Sequence, residues 1–170
     1  GGSSGGQWGG TAESADPLEG DGVLYIHDAD QDMWVYRTFQ VATDVVQIDQ
    51  FVRVESGGRL ISRTWGPGGT PVHTRIASTW TTSENKFFAF DGDTFGSGSY
   101  EDTGFDVVPN QWHKVSVLID VPEQAYQFFV DDQEYYGPDR LNFQNHPTSI
   151  VGNDYMAKTE AWVDLVQVSA

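Results

Sequence analysis

From Leu24 to the C-terminus the chain alternates apolar and polar residues, and no window of helix length shows a 3.6-residue period. Alternation sends successive side chains to opposite faces of a strand, which restricts such a chain to sheets with one face buried. Leu24 and Ile26 share a face, followed by Met33, Val35 and Phe39. Val46, Ile48, Val52 and Val54 fall on one side of a long strand whose other side carries Gln47, Asp49, Arg53 and Glu55. Gly57-Gly58 reads as a turn into Arg59–Trp65, and Gly66-Pro67-Gly68-Gly69 as a turn into Val72–Trp80, both with the punctuation of hairpins. Phe87-Phe88-Ala89-Phe90 reads as a short buried strand and Asp91–Asp106 as a Gly-rich acidic loop. Val115, Val117, Ile119 and Val121 share one face of the next strand, which stops at Pro122, where a missing N–H is tolerated. This pattern predicts an all-β, antiparallel two-sheet sandwich with Val115, Val117, Ile119, Phe128, Val130 and Val166 near its core.

At 170 residues the chain has the size of one domain. Residues 1–22 are mostly Gly, Ser, Thr, Ala and acids around a single Trp8, the composition of a loose arm, so the sandwich is expected over 23–170. The net charge of −16, from 25 acids against 9 Lys and Arg, argues against nucleic acid or an anionic membrane as partner and favours divalent or cationic ones. No apolar run is long enough to insert in a bilayer as a helix, and no signal peptide is visible. The chain starts Gly1-Gly2-Ser3-Ser4 without Met, as a processed or excised form would. An acid-rich, Lys-poor chain without cysteine is expected to be secreted, extracellular or at the cell surface.

Two runs in the second half resemble a known family. Asn110-Gln111-Trp112-His113-Lys114-Val115-Ser116-Val117-Leu118-Ile119-Asp120 and Tyr126-Gln127-Phe128-Phe129-Val130-Asp131-Asp132 form a Trp-led strand and its hairpin partner, and Trp162-Val163-Asp164-Leu165-Val166-Gln167-Val168 a closing strand that carries an Asp. Together they resemble the laminin-G-like, concanavalin-A-like jelly rolls. The resemblance implies a jelly-roll fold, shared by lectins, carbohydrate-binding modules, glycanases and structural or adhesive modules. It also implies an opening strand near the last one, which helps hold a structural calcium; Gln7-Trp8-Gly9-Gly10 looks like the loop after that strand, leaving the strand absent or displaced. A sheet edge left open in this way invites a strand from elsewhere.

Catalytic patterns are lacking. Glu19-Gly20-Asp21 is the one Glu-x-Asp, with no Glu following, and no Gly-x-Ser-x-Gly, His-Glu-x-x-His, P-loop or Cys nucleophile occurs. His27, His73, His113 and His146 are scattered. The chain is therefore expected not to be an enzyme. Asp28, Asp30 and Asp32 alternate in what reads as a hairpin turn, a hard-oxygen cluster of the kind calcium accepts, although Met33 and Phe39 exclude an EF-hand. Asp164 lies in an apolar strand, where a carboxylate is costly unless paired or liganded. The resemblance makes it a calcium ligand, with Asp16 and Glu19 as the nearest N-terminal substitutes. Trp65, Trp80, Tyr100, Tyr135 and Tyr136 are candidates for stacking on sugar rings, while Trp34, Trp112 and Trp162 read as packing. No Asn-x-Ser/Thr sequon is present.

Two functions fit. The leading one is a structural subunit of a filament or other homopolymer, in which Gln7, Trp8, Gly9 and Gly10 add to the open edge of a neighbouring copy. The alternative is a carbohydrate-binding, lectin-like module of a larger secreted protein.

Overall fold

The structure is a computed structural model that describes residues 24–38, 41, 43–67, 75–93, 97–135, 137, 140–144 and 146–169, with the side chains at 27–34, 36, 37, 165 and 166 outside the description. Its strands are β1 (Leu24–Thr38), β2 (Val45–Val54), β3 (Arg59–Trp65), β4 (Arg75–Thr81), β5 (Lys86–Gly92), β6 (Gly98–Asp106), β7 (His113–Asp120), β8 (Ala125–Val130), β9 (Gln133–Glu134), β10 (Leu141–Asn142) and β11 (Gly152–Ser169). No helix occurs among the described residues, as the alternation predicts.

All pairings are antiparallel, and the path β10-β8-β7-β2-β11-β3-β4-β5-β6 is one sheet folded into two leaves. The fold line crosses β11. Its C-terminal part, Ala161 to Ser169, pairs with β2, and its N-terminal part, Gly152 to Lys158, pairs with β3. β2 and β3 thus lie end to end along one edge of β11 and do not form the hairpin that Gly57-Gly58 suggests. The glycines turn a corner instead. Gly57 has φ 73°, and a Cβ on Gly58 would stand 2.8 Å from the Glu55 carbonyl oxygen. Opposite them Thr159 has φ 95°.

β1 runs along the other edge of β11, from Leu24 opposite Val163 to Thr38 opposite Gly152. The position beside the last strand, where an opening strand was looked for, is therefore filled by β1. Asp28 pairs with Thr159 and Met33 with Ala157, so the register shifts between them. The segment Asp28–Asp32 is then an irregularity inside one strand at the fold line, not a hairpin turn. The expected acidic loop at Asp91–Asp106 is also largely strand: Phe90 pairs with Tyr100 and Asp91 with Ser99. Glu101 and Asp102, on opposite sides of the edge strand β6, place charge where it protects against further pairing.

The leaves enclose a core containing Ile26, Val46, Ile48, Ile76, Phe87, Val115, Ile119, Tyr126, Phe128 and Phe143, along with the expected Val117 and Val130. Each such aliphatic or aromatic side chain contributes about 1.5–3 kcal/mol on burial. Val166, also expected there, lies outside the described side chains. A polar seam crosses the core: Tyr155 Oη and Ser62 Oγ both donate to Gln50 Oε1, at 2.9 and 3.1 Å. Asn153 Nδ2 donates to Tyr155 Oη at 2.8 Å. At one end the backbone and the side-chain amide of Asn142 donate to Asp91, tying β10 to β5. Tight turns finish the first leaf: Asp131 and Asp132, with φ 50° and 63°, make the two-residue turn from β8 to β9.

Candidate functional site

The second leaf carries an unusual set of side chains on the face turned away from the core. In β3 and β11, core-facing Ser62, Thr64, Asn153 and Tyr155 alternate with Arg63 and Asp154. Arg63 and Asp154 are register partners, and the guanidinium grips the carboxylate in a fork, Nε to Oδ1 at 2.9 Å and Nη2 to Oδ2 at 2.7 Å. Both are buried, at 5% and 3% side-chain exposure, so the pair is structural and strongly held. Burial pushes the Asp154 carboxyl above the usual carboxylate range, and the Arg63 hydrogen bonds oppose that rise.

Aromatic residues continue this face toward the edge. Trp80 pairs with Ile61 on one side and Phe88 on the other. Its ring lies 6.1 Å from Phe88 and 5.4 Å from Tyr100, the latter edge-on. Tyr100 meets Phe90 edge-on at 5.4 Å, and its hydroxyl lies 2.7 Å from Ser78 Oγ. Phe90 is seated by Gly98, whose hypothetical Cβ would come within 2.5 Å of the Phe90 ring; Gly98 has φ 151°. Arg75 lies with its guanidinium 4.3 Å from the Phe90 centroid and 5.7 Å from that of Tyr100. At the far edge Lys86 pairs with exposed Asp102 at 3.1 Å. The Gly104 N–H and then Lys86 hold the Asp102 carboxyl below its usual range.

Of the five candidate sugar-stacking residues, Trp65, Trp80 and Tyr100 share this face. Trp65 ends β3 across from Arg75, with Nε1 buried and without an acceptor among the described residues. Tyr135 does not join them: it lines a cavity of about 300 Å³ with Tyr126, Glu134 and Arg140 beside β8. Burial, and then Glu101 and Asp91, push its hydroxyl up. Tyr136 lies outside the described residues. The alternation did not single out Arg63, Ser78, Arg75 or Asp154. Phe88 and Phe90, two apart, carried a detectable signal for a shared face; the others carried none locally.

Of the expected metal ligands only the Asp164 side chain is described. Asp164 is buried on the first leaf, across from Phe51. Asp28, Asp30 and Asp32 fall in the β1 irregularity with side chains outside the description, and Asp16, Glu19, Gln7, Trp8, Gly9 and Gly10 lie outside the described residues altogether. Among the described residues no three His, Cys, Asp or Glu side chains converge on one point. Trp162 packs as expected, 5.4 Å from Tyr25 and under the Arg53 guanidinium at 5.0 Å. The Tyr25 hydroxyl is pushed up to about 12 by burial and by its hydrogen bond with Glu160. His113 is also structural: its Nε2 accepts the Val108 N–H at 3.0 Å and its Nδ1 meets Asp131 at 2.8 Å, which fixes the tautomer.

No family model and no curated protein matches the chain. Solved structures do. An endo-β-1,4-glucuronan lyase from Trichoderma reesei matches 97% of this chain and 87% of its own, with TM-score 0.64 and 10% identity. A carbohydrate-binding module from Bacillus subtilis matches 98% and 92%, with TM-score 0.54 and 11% identity. A galectin from Caenorhabditis elegans matches 86% and 96%, with TM-score 0.57 and 10% identity. A sialidase also matches, at TM-score 0.63 and 9% identity, but this chain spans only 16% of its length. At such identities the likeness concerns the fold, and the fold is a concanavalin-A-like jelly roll.

Proposed function

We propose that the protein is a glycan-binding, lectin-like module that takes a carbohydrate on the outward face of its second leaf. The observation that carries this reading is the grouping of Trp80, Phe88, Tyr100 and Arg75 around Ser78 on one sheet face. Aromatic rings offer flat apolar contact to the C–H faces of sugars, and neighbouring polar groups bind hydroxyls. A carbohydrate-binding module and a galectin among the structural neighbours add support. Binding without catalysis fits the carboxylates here: Asp154 is held by Arg63 and Asp102 by Lys86, leaving neither placed as a proton donor. Such a module belongs at a cell surface or outside the cell, where polysaccharides are met. The homopolymer reading rests on Gln7-Trp8-Gly9-Gly10, outside the described residues, and on an open edge beside β11 that β1 fills.

The test is a glycan array followed by calorimetry on any hit. Replacing Trp80 by Ala should weaken binding by about 1–3 kcal/mol, the loss expected for a large aromatic contact. Lys114→Ala, on the first leaf, should leave it unchanged. A blank array for the wild-type protein, or equal affinities for W80A and wild type, would overturn the assignment.

A further inference from the structure

The chain's charge is strongly negative, yet among the described residues the aromatic face presents a cation that no carboxylate contacts directly. Among the described residues Arg75 forms no ion pair, and its Nε is buried without a hydrogen-bond acceptor. Burial lowers its pKa from the ordinary arginine value and Arg63 adds to that, while Tyr100, Tyr126 and Asp154 oppose the fall. Asp154, the nearby carboxylate, already gives both its oxygens to Arg63.

The backbone is built to put Arg75 there. Thr64 pairs with Ala77 and Trp65 with Arg75, so one extra residue, Ile76, is inserted in β4. Ile76 and Ala77 both go into the core. Strict alternation from Trp80 and Ser78 would put residue 76 on the outward face and residue 75 inward. The bulge reverses that parity and turns Arg75 onto the aromatic face, where it lies over Phe90 and Tyr100. Bulges often re-aim a side chain beside a site. The Arg75 carbonyl also accepts the Gln144 N–H at 2.9 Å, which anchors the bulged end. With its guanidinium 4.3 Å from the Phe90 centroid, Arg75 offers planar N–H donors, the fork that grips a carboxylate.

We propose that the glycan bound on this face is acidic, and that the carboxylate of a uronic acid-type sugar docks on Arg75 while a ring stacks on Trp80. This rests on the glycan-binding reading and gives it a substrate class. The charge of −16 does not oppose it: beyond about 8 Å charges are screened at physiological ionic strength. A short oligosaccharide also needs one local cation, where nucleic acid needs many.

The experiment compares short oligouronates with the same oligosaccharides after chemical reduction of their carboxyl groups, using calorimetry on the intact chain. The wild-type protein should bind the acidic form about tenfold or more tightly than the reduced one, as expected for loss of a charge-assisted contact. Arg75→Gln should bind both forms alike, whereas Trp80→Ala should weaken both and keep the preference. Equal wild-type affinity for acidic and reduced forms overturns the proposal while leaving a glycan-binding module standing. Retention of the preference in R75Q also overturns it. A sulfated oligosaccharide that outcompetes the uronates overturns the carboxylate assignment. Binding of neither form, together with a blank glycan array, sinks the glycan-binding reading itself.

Discussion

The Arg63–Asp154 pair shows what single residues decide in this protein. Two charges at 5% and 3% exposure are tolerable because the fork satisfies both carboxylate oxygens. Neither partner can be removed alone without leaving the other's charge buried. Asp154→Ala or Arg63→Met should therefore cost about 3–5 kcal/mol of unfolding free energy in urea, while the double replacement R63M/D154L should recover most of it. A double variant no better than the singles would mean the pair itself, not its burial, stabilises the leaf. The same residues explain a gap in reading the sequence. Arg63 and Asp154 stand 91 positions apart, and nothing near either one signals the other. Trp80 and Tyr100 were legible as candidates because large aromatics on polar stretches are conspicuous; that they share a face with Arg75 depends on a bulge.

At the level of elements, the corner is the decisive feature. Local alternation yields most of the strands and their buried faces, because it depends only on the period of two, but it leaves β6 as a loop and breaks β1 at Asp28–Asp32. It cannot say whether a Gly-Gly break folds a strand back or carries it on into another leaf. Here β11 decides the matter by offering one continuous edge to both β2 and β3. β1 follows the same course on the opposite edge, and its register break at Asp28–Met33 faces Thr159. The acids that read as a hairpin turn are thus the outlet for extra residues where a paired strand crosses the corner. Gly57→Ala should cost about 1–2 kcal/mol through its left-handed backbone alone. Gly58→Ala should cost at least as much, since the Glu55 carbonyl oxygen in its way is backbone and cannot swing aside. Urea denaturation would check both, and a neutral Gly58→Ala would show that the corner gives more easily than its geometry implies.

For the whole molecule, fold and site differ in how they are written into the chain. The jelly roll follows from alternation repeated over many strands, and the resemblance of its Trp-led hairpin and closing strand agrees with the structural neighbours. The site follows from pairings among β3, β4, β5, β6 and β11, which only the assembled sheet brings together. The surface adds a global term. With a charge of −16 the folded chain repels itself, and compaction concentrates that repulsion. Raising NaCl from about 10 mM to about 150 mM shortens the Debye length from about 30 Å to about 8 Å. The thermal midpoint should therefore rise over that range. Calcium at matched ionic strength separates screening from binding. If Asp164 or the Asp28, Asp30 and Asp32 segment holds an ion, calcium should raise the midpoint beyond the NaCl value and EGTA should reverse the excess, because a ligand stabilises the state that binds it. Equal midpoints in calcium and in ionic-strength-matched NaCl would assign the acids to screening alone and remove the structural calcium from the account of this fold.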